Sequence, residues 1–461
     1  MWYHGSVLPC GSGLRAGTAL RTLVAVVLVG CTPGEQASGG RRPPSVILIS
    51  IDALRRDHLG LYGYERDVSP GLDRFARECV VYDRAYSTAP WTLISHMTML
   101  TGLYPLMHGV VDTDSALAPE IPTLSERLHE RGHYTITLSK GGWVNERYGF
   151  TRGVDDYRRH DSGAELDRNL RAAMSERPRD GPFFLFVHVW DVHNANLDKE
   201  DATIFEPPEG YRDRFLPGAA ERLRGIDASA LWQGEVRATP EQIEAFTALY
   251  DGNVRYVDDL IGGWIEGWRA EGVLDESIVI VTSDHGESLF QRDGVNVSHG
   301  GMNEEGLRVP LLIRYPGARD AGARRGGIAS HVDLVPTVLE CLDVSPEPWL
   351  PGLALRRGTS LDRLILAERP PAMAALRWPW KVHWFLGEGE VRAFDLRQDP
   401  GELHPITARN DPETHARVEA EIFAAVARFR ERWPSPAAAG PAGPEAKDVA
   451  DELRGLGYTD R

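Results

Sequence analysis

Several reactive side chains of this chain stand at the ends of apolar runs. Ser45-Val46-Ile47-Leu48-Ile49-Ser50-Ile51 runs into Asp52, and Ser277 to Thr282 runs through Ser283 into Asp284 and His285. Phe183 to Val189 leads toward Asp191 and His193, and Tyr134 to Leu138 leads to Lys140. Thr92 precedes Leu93-Ile94-Ser95-His96-Met97, and His299 lies between Ser298 and Gly300. A hydroxyl beside a cation or a base can attack an electrophile. Carboxylates and imidazoles can hold a divalent cation, and imidazole titrates where a general acid or base must. Singly, each has a plainer reading: a strand-end Asp capping a turn, a lone structural His, a solvated loop lysine.

The elements that carry these residues favour a common site. Near-continuous apolar, β-branched runs imply strands buried on both faces, hence an α/β fold with a mainly parallel sheet between helices. In such sheets sites gather beyond the carboxyl ends of the strands. Between the runs, Ile243, Phe246, Tyr250, Val254, Val257, Ile261 and Trp264 recur at three- and four-residue steps, which predicts a helix over 240–272 with one apolar stripe. Residues 195–240 lack a clean period and are expected to form an inserted loop region bordering the site. After Pro351 the texture changes. Lys381–Phe385 and Val391–Leu396 predict an antiparallel hairpin around Gly387-Glu388-Gly389, and Asp411-Pro412-Glu413 opens a helix to about Trp433.

The segment Ala89-Pro90-Trp91-Thr92-Leu93-Ile94-Ser95-His96-Met97-Thr98-Met99-Leu100-Thr101-Gly102 resembles the sulfatase signature C/S-x-P-x-R-x-x-x-x-T-G, whose first residue matures to formylglycine. Counting back from Thr101-Gly102, the nucleophile position falls on Thr92, the Pro on Ile94 and the Arg on His96. Thr92 is therefore expected to remain an unmodified threonine. Ile49-Ser50-Ile51-Asp52, Thr282-Ser283-Asp284-His285-Gly286-Glu287, Ser298-His299-Gly300 with Glu304 to Ile313, and Phe394-Asp395-Leu396 with Asp399-Pro400-Gly401-Glu402 resemble further family motifs. The resemblance implies an alkaline-phosphatase-like sandwich: a central mainly parallel sheet flanked by helices, with a small C-terminal lobe of antiparallel sheet and helix. It also implies a metal-dependent hydrolase of anionic esters.

What the resemblance implies for each residue follows. Asp52, Asp284 and His285, with the Thr92 oxygen, would hold a divalent metal ion; the family's second Asp is Ala53 here. Mixed oxygen and nitrogen ligands suit Zn²⁺ or Mn²⁺ at least as well as Ca²⁺, with Mg²⁺ also open. His193 would contact the transferred group or activate water, and His299 would protonate the leaving oxygen. Lys140 would bind the leaving group, or else is a solvated loop lysine. His96 would contact the substrate, or else is packed against Ser95. Asp191, His193 and His299 offer a second metal site as a weaker alternative. A threonine cannot expel sulfate by collapsing to an aldehyde, whereas a phosphothreonine is readily resolved. The expected substrates are thus phosphate mono- or diesters or phosphonates. The alternatives are sulfate esters, phospho-group transfer, and a non-catalytic binder of anionic glycans.

Length, charge and leader set the remaining bounds. The 461 residues suffice for one large domain and a smaller one, and 42% apolar with 26% charged residues is ordinary globular composition. A net charge of −16 argues against nucleic acid as a partner. Arg15 and Arg21 precede or begin a short apolar run to Gly30, and Leu28-Val29-Gly30-Cys31 resembles a lipobox. The expected organisation is a signal peptide over 1–30, a tether over 31–44, a sulfatase-like catalytic domain over 45–350, a C-terminal subdomain over 351–433, and a linker and tail over 434–461. Lipidated Cys31 would hold the exported protein on the periplasmic face of a bacterial membrane. Cys79 and Cys341 could pair in an oxidising periplasm, but are expected as two buried free thiols. No oligomeric state is implied.

Overall fold

The structure is a computed structural model that describes residues 42–193, 204–295, 299, 301–387, 389–434 and 440–441. The expectations for the leader, Cys31, most of the tether, residues 195–203 and the tail fall outside the described residues.

In chain order the strands are β1 Ser45–Ile51, β2 Val80–Tyr86, β3 Ser115–Ala116, β4 Tyr134–Ser139, β5 Asp156–Arg159, β6 Phe183–Val189, β7 Ser277–Ser283, β8 Arg308–Val309, β9 Leu311–Arg314, β10 Arg324–Ser330, β11 Leu364–Arg369, β12 Ala372–Arg377, β13 Trp380–Phe385, β14 Val391–Asp395 and β15 Gly440–Pro441. The main sheet runs β10-β2-β9-β7-β1-β6-β4-β5, with β8 also paired to β2. β1 lies parallel between β6 and β7, and β4 and β5 continue the parallel half. β9 runs antiparallel between β7 and β2, so the sheet is mixed but mainly parallel. β1, β6 and β7 are buried along their whole length, as runs without polar alternation require.

Hydrophobic cores cover both faces of this sheet. One contains the helix Thr92–Thr101, all of whose residues are buried. The other contains the long helix Pro240–Ala270, which bears the expected apolar stripe and starts at a Thr239–Gln242 capping box. Within the expected insertion, Glu209–Arg212, Ala219–Arg222 and Ala228–Trp232 are short helices, and the first two pack on the long helix.

The C-terminal lobe is a four-stranded antiparallel sheet, β11-β12-β13-β14, with the helix Pro412–Arg432 capped by Asp411. The β13–β14 hairpin was legible; β11 and β12 were not. Their sequences, Leu-Ile-Leu-Ala-Glu-Arg and Ala-Met-Ala-Ala-Leu-Arg, show no alternation and are separated by two prolines. Cys79 is a buried free thiol and Cys341 a half-buried one. Among the described residues no helix is long and apolar enough to cross a membrane.

Candidate active site

Strand register assembles the site. Ile51 pairs with Ser283 on one side and Val189 on the other, so Asp52, Asp284 and Trp190 leave the sheet side by side. The Thr92 helix points its N-terminus at this edge. Ser95, one turn in, donates its hydroxyl to the Asp284 carbonyl at 2.7 Å and lies 3.1 Å from His331 Nδ1. Thr92 Oγ1 thus lies 3.4 Å from Asp52 Oδ2 and 3.3 Å from His285 Nε2. Helix N-terminal amides add positive potential beside this oxygen.

Asp52, Asp284 and His285 are wholly buried, and their candidate ligand atoms lie within 4.8 Å of one another. His285 Nδ1 is 2.8 Å from the Gly286 carbonyl, which can only accept. The Nδ1 nitrogen therefore carries the hydrogen, and Nε2 turns its lone pair toward Asp284 Oδ2 at 3.3 Å and Asp52 Oδ1 at 3.6 Å. Both of those carboxylate oxygens are buried without a hydrogen-bond partner. Converging, unsatisfied acceptors of mixed O and N type fit a divalent cation.

The electrostatics of these bare ligands agree. Burial pushes Asp52 up to about 7, against the pull of His285. Asp284 is raised by burial and by Asp52. Burial alone would lower His285, but Asp284 and Asp52 outweigh it and raise the imidazole.

Ala53, where the family has its second Asp, adopts a left-handed φ of 56°. Its amide donates to Asp284 Oδ1 at 3.2 Å, and its carbonyl accepts from the Tyr250 hydroxyl at 2.8 Å. These two bonds hold a conformation that alanine disfavours.

The histidines gather on the other side of the cluster. The His299 ring centroid is 4.9 Å from that of His285 and 5.0 Å from that of His193. His193 stacks on Trp190 at 4.0 Å. Lys140 sits a layer out, with Nζ 5.8 Å from the Trp190 ring centre and 4.0 Å from Asp161 Oδ1. Asp191, the third member of the second-metal alternative, accepts the Gly163 amide at 2.7 Å. Among the described residues, the grouping suited to a metal is Asp52, Asp284 and His285.

His96 is a correction to the expected substrate contact. It is fully buried, with Nδ1 2.8 Å from the Thr92 carbonyl and Nε2 2.9 Å from Ser50 Oγ. Both nitrogens are engaged inside the protein, and burial lowers its pKa to about 3. It secures the Thr92 turn to β1.

Sequence reasoning missed two residues. His188 lies inside β6, opposite Ser50, and its Nε2 is 2.9 Å from Asp52 Oδ2. Glu287, within a recognised motif but given no role there, is wholly buried with Oε2 3.3 Å from His299 Nδ1. Burial raises Glu287 to about 8.

A family model described as Sulfatase matches residues 44–344. The chain belongs to the sulfatase family. It is 24% identical to an arylsulfatase of Clostridium perfringens over 454 aligned residues, covering 82% of this chain and 92% of that protein. A solved structure of a protein in complex with its substrate D-glucosamine-2-N,6-O-disulfate superposes with a TM-score of 0.68 at 18% identity, covering 85% of this chain and 98% of the other. The phosphonate monoester hydrolase of Silicibacter pomeroyi superposes with a TM-score of 0.66 at 19% identity, covering 85% and 96%. This sulfatase-family chain is a hydrolase acting on sulfate or phosphate esters, and its buried Asp-Asp-His cluster is a candidate metal site.

Proposed function

We propose that the chain hydrolyses phosphate mono- or diesters or phosphonates through a covalent Thr92 intermediate. The observation that carries this reading is the Thr92 hydroxyl, unprotected by any capping role, within 3.4 Å of both Asp52 and His285. A divalent ion (Zn²⁺, Mn²⁺, Ca²⁺ or Mg²⁺) held by Asp52, Asp284, His285 and Thr92 would supply positive charge that lowers the hydroxyl's pKa and neutralises the ester's oxyanion.

The chain's own groups do the rest. Thr92 Oγ1, as the alkoxide once its proton has gone to solvent, forms the bond to phosphorus. The leaving oxygen departs with a proton from His299, an imidazole that takes up this proton when the anionic ester lies beside it and whose ring Glu287 orients. His193, braced on Trp190, would contact the transferred oxygens or activate the attacking water. Water then gives a proton to His299 and attacks phosphorus, and Thr92 Oγ1 leaves as the alkoxide. Rate comes from positioning and charge rather than from a modified side chain.

Sulfate ester hydrolysis is the second reading. It is favoured by the arylsulfatase relative and the disulfated glucosamine ligand of the superposed structure. Turnover of p-nitrophenyl phosphate, bis(p-nitrophenyl) phosphate, p-nitrophenyl phenylphosphonate and p-nitrophenyl sulfate, with and without chelator, separates the readings. Chelator-sensitive hydrolysis of the phosphorus esters is expected. Faster sulfate release would overturn the substrate preference, and no turnover of any ester with metal bound would overturn the catalytic reading.

We propose further that Cys31 anchors the exported protein to a membrane surface. Cys31→Ser is then expected to move it from the membrane fraction to the soluble one.

A further inference from the structure

β11 ends at Arg369, and this strand end is fastened to the segment leading into the Thr92 helix. The Glu368 amide donates to the Thr88 carbonyl at 2.8 Å. Glu368 itself is wholly buried; its carboxylate accepts the Leu106 amide at 2.9 Å and pairs with Arg430. Neighbouring side chains on a strand point to opposite faces. Arg369 accordingly projects the other way, and its guanidinium lies over the Trp91 ring, 5.1 Å from the centroid. Trp91 is the residue that immediately precedes Thr92 and caps its helix.

The guanidinium has no anionic partner among the described residues. Other arginines of this lobe do: Arg363 is bidentate on Asp333 at 2.5 and 2.6 Å, and Arg377 reaches Asp362 and Glu421. Burial alone lowers the pKa of Arg369, with no neighbouring acid opposing it. A half-buried guanidinium stacked on an aromatic ring, with its donor fork unclaimed, suits an incoming oxyanion.

The rest of the site gives this charge a purpose. The family's motif arginine is His96 here, turned inward with both nitrogens occupied. Lys140 leans on Asp161. Beyond the charge a metal ion would supply, an ester oxyanion entering a chain of net charge −16 gains from a second cation.

We propose that Arg369 is a substrate-binding residue, contributed by the C-terminal sheet, whose guanidinium takes up an oxyanion oxygen of the ester held at Thr92. The inference rests on the reading of the Thr92 site as one for an anionic ester.

The test uses the metal-loaded full chain and its Arg369→Gln and Arg369→Lys variants. Binding of inorganic phosphate and of inorganic sulfate is measured by calorimetry, alongside kcat and KM for the p-nitrophenyl esters and the thermal midpoint. Arg369→Gln is expected to weaken binding of the preferred inorganic anion about 10- to 100-fold, the span of hydrogen bonds to a charged group. KM should carry more of the loss than kcat, Arg369→Lys should recover part of it, and the midpoint should hold or rise because an unpaired charge has gone.

Binding and kcat/KM within twofold of wild type would overturn the inference, as would a loss that follows a lowered midpoint. Arg369-dependent anion binding without turnover of any ester would uphold the inference while the catalytic reading fails. Thr92-dependent turnover indifferent to Arg369 would do the reverse, and a wild type that binds neither anion would sink both.

Discussion

His188 presents Nε2 to Asp52 Oδ2 at 2.9 Å from within the strand next to the one that ends in Asp52. Burial keeps this imidazole neutral, lowering its pKa to about 4, so it donates a hydrogen without adding a competing charge. The bond satisfies one carboxylate oxygen and leaves the other, Oδ1, facing His285. His188 thus aims a candidate metal ligand. His188→Ala should weaken metal affinity about 10- to 100-fold, the usual cost of removing a group that orients a ligand. Calorimetric titration of metal-stripped protein checks this; unchanged affinity would show that the strand alone fixes Asp52.

Thr92→Ala should lower turnover of the best ester by at least about a thousandfold, as expected for loss of a covalent nucleophile, with the circular dichroism spectrum unchanged. Thr92→Ser should keep measurable activity. Intact-mass analysis of the resting protein should show an unmodified threonine. Wild-type rates in the alanine variant would remove the nucleophile assignment, and a mass corresponding to an oxidised side chain would replace it.

Metal affinity should depend on pH with a definite sign. Without the cation, Asp52 holds its proton up to about 7, and that proton must leave for the metal to bind. Apparent affinity should therefore rise with pH up to about 7 and flatten above it. The stability of the metal-free protein should move oppositely. A carboxyl whose folded pKa is raised contributes most below its ordinary value of 3.8, and that contribution is lost as pH rises toward about 7. Titrations and thermal melts across this range, with and without metal, check both slopes; a pH-independent affinity would contradict the first.

Ala53→Asp should shift metal preference toward Ca²⁺ by adding a hard oxygen to the cluster. Asp also tolerates the left-handed φ of 56° better than Ala does. Competition titrations of Ca²⁺ against Zn²⁺ measure the shift, and an unaltered ratio would mean that the side chain at this position points away from the ligands.

Lys381 joins the two lobes through buried charge. Its Nζ lies 3.1 Å from Glu304 Oε1 and 3.0 Å from Glu402 Oε1, while the Glu304 amide donates to Glu402 Oε2 at 2.6 Å. Lys381→Met should cost about 3–5 kcal/mol in denaturant unfolding, because it strands two buried carboxylates. Burial alone would raise Glu402, but Lys381 and His383 outweigh it and hold the carboxyl at about 2. A depressed carboxyl stabilises above its ordinary value of 4.5, and this contribution is lost as pH falls toward about 2. The variant should lose that part of the acid transition.

The legible parts of the chain were those where composition and chemistry coincide. Four apolar runs announced β1, β4, β6 and β7, and the residues just beyond β1 and β7 are those the register brings together. Thr92 was reachable because its motif ends in Thr101-Gly102, even though the motif's own Pro and Arg are missing. His188 was hidden because a histidine within an apolar run reads as core, and only the Ser50–His188 register reveals its partner. Arg369 was hidden more deeply. Nothing local separates it from other arginines at strand ends; its meaning depends on a sheet packed against a segment some 280 residues earlier. His96 could not be decided from type and spacing, since an imidazole one helical turn from a nucleophile can face either way.

The fastening of Glu368 to Thr88 has a bearing on the order in which the site is assembled. The segment leading into Thr92 is encoded early and the strand end that fastens it only in the last fifth of the polypeptide. A chain emerging from the ribosome holds Thr92 long before that strand end is made. The Thr88–Glu368 bond, and with it the anchoring of the turn into Thr92, can form only once that last fifth is present.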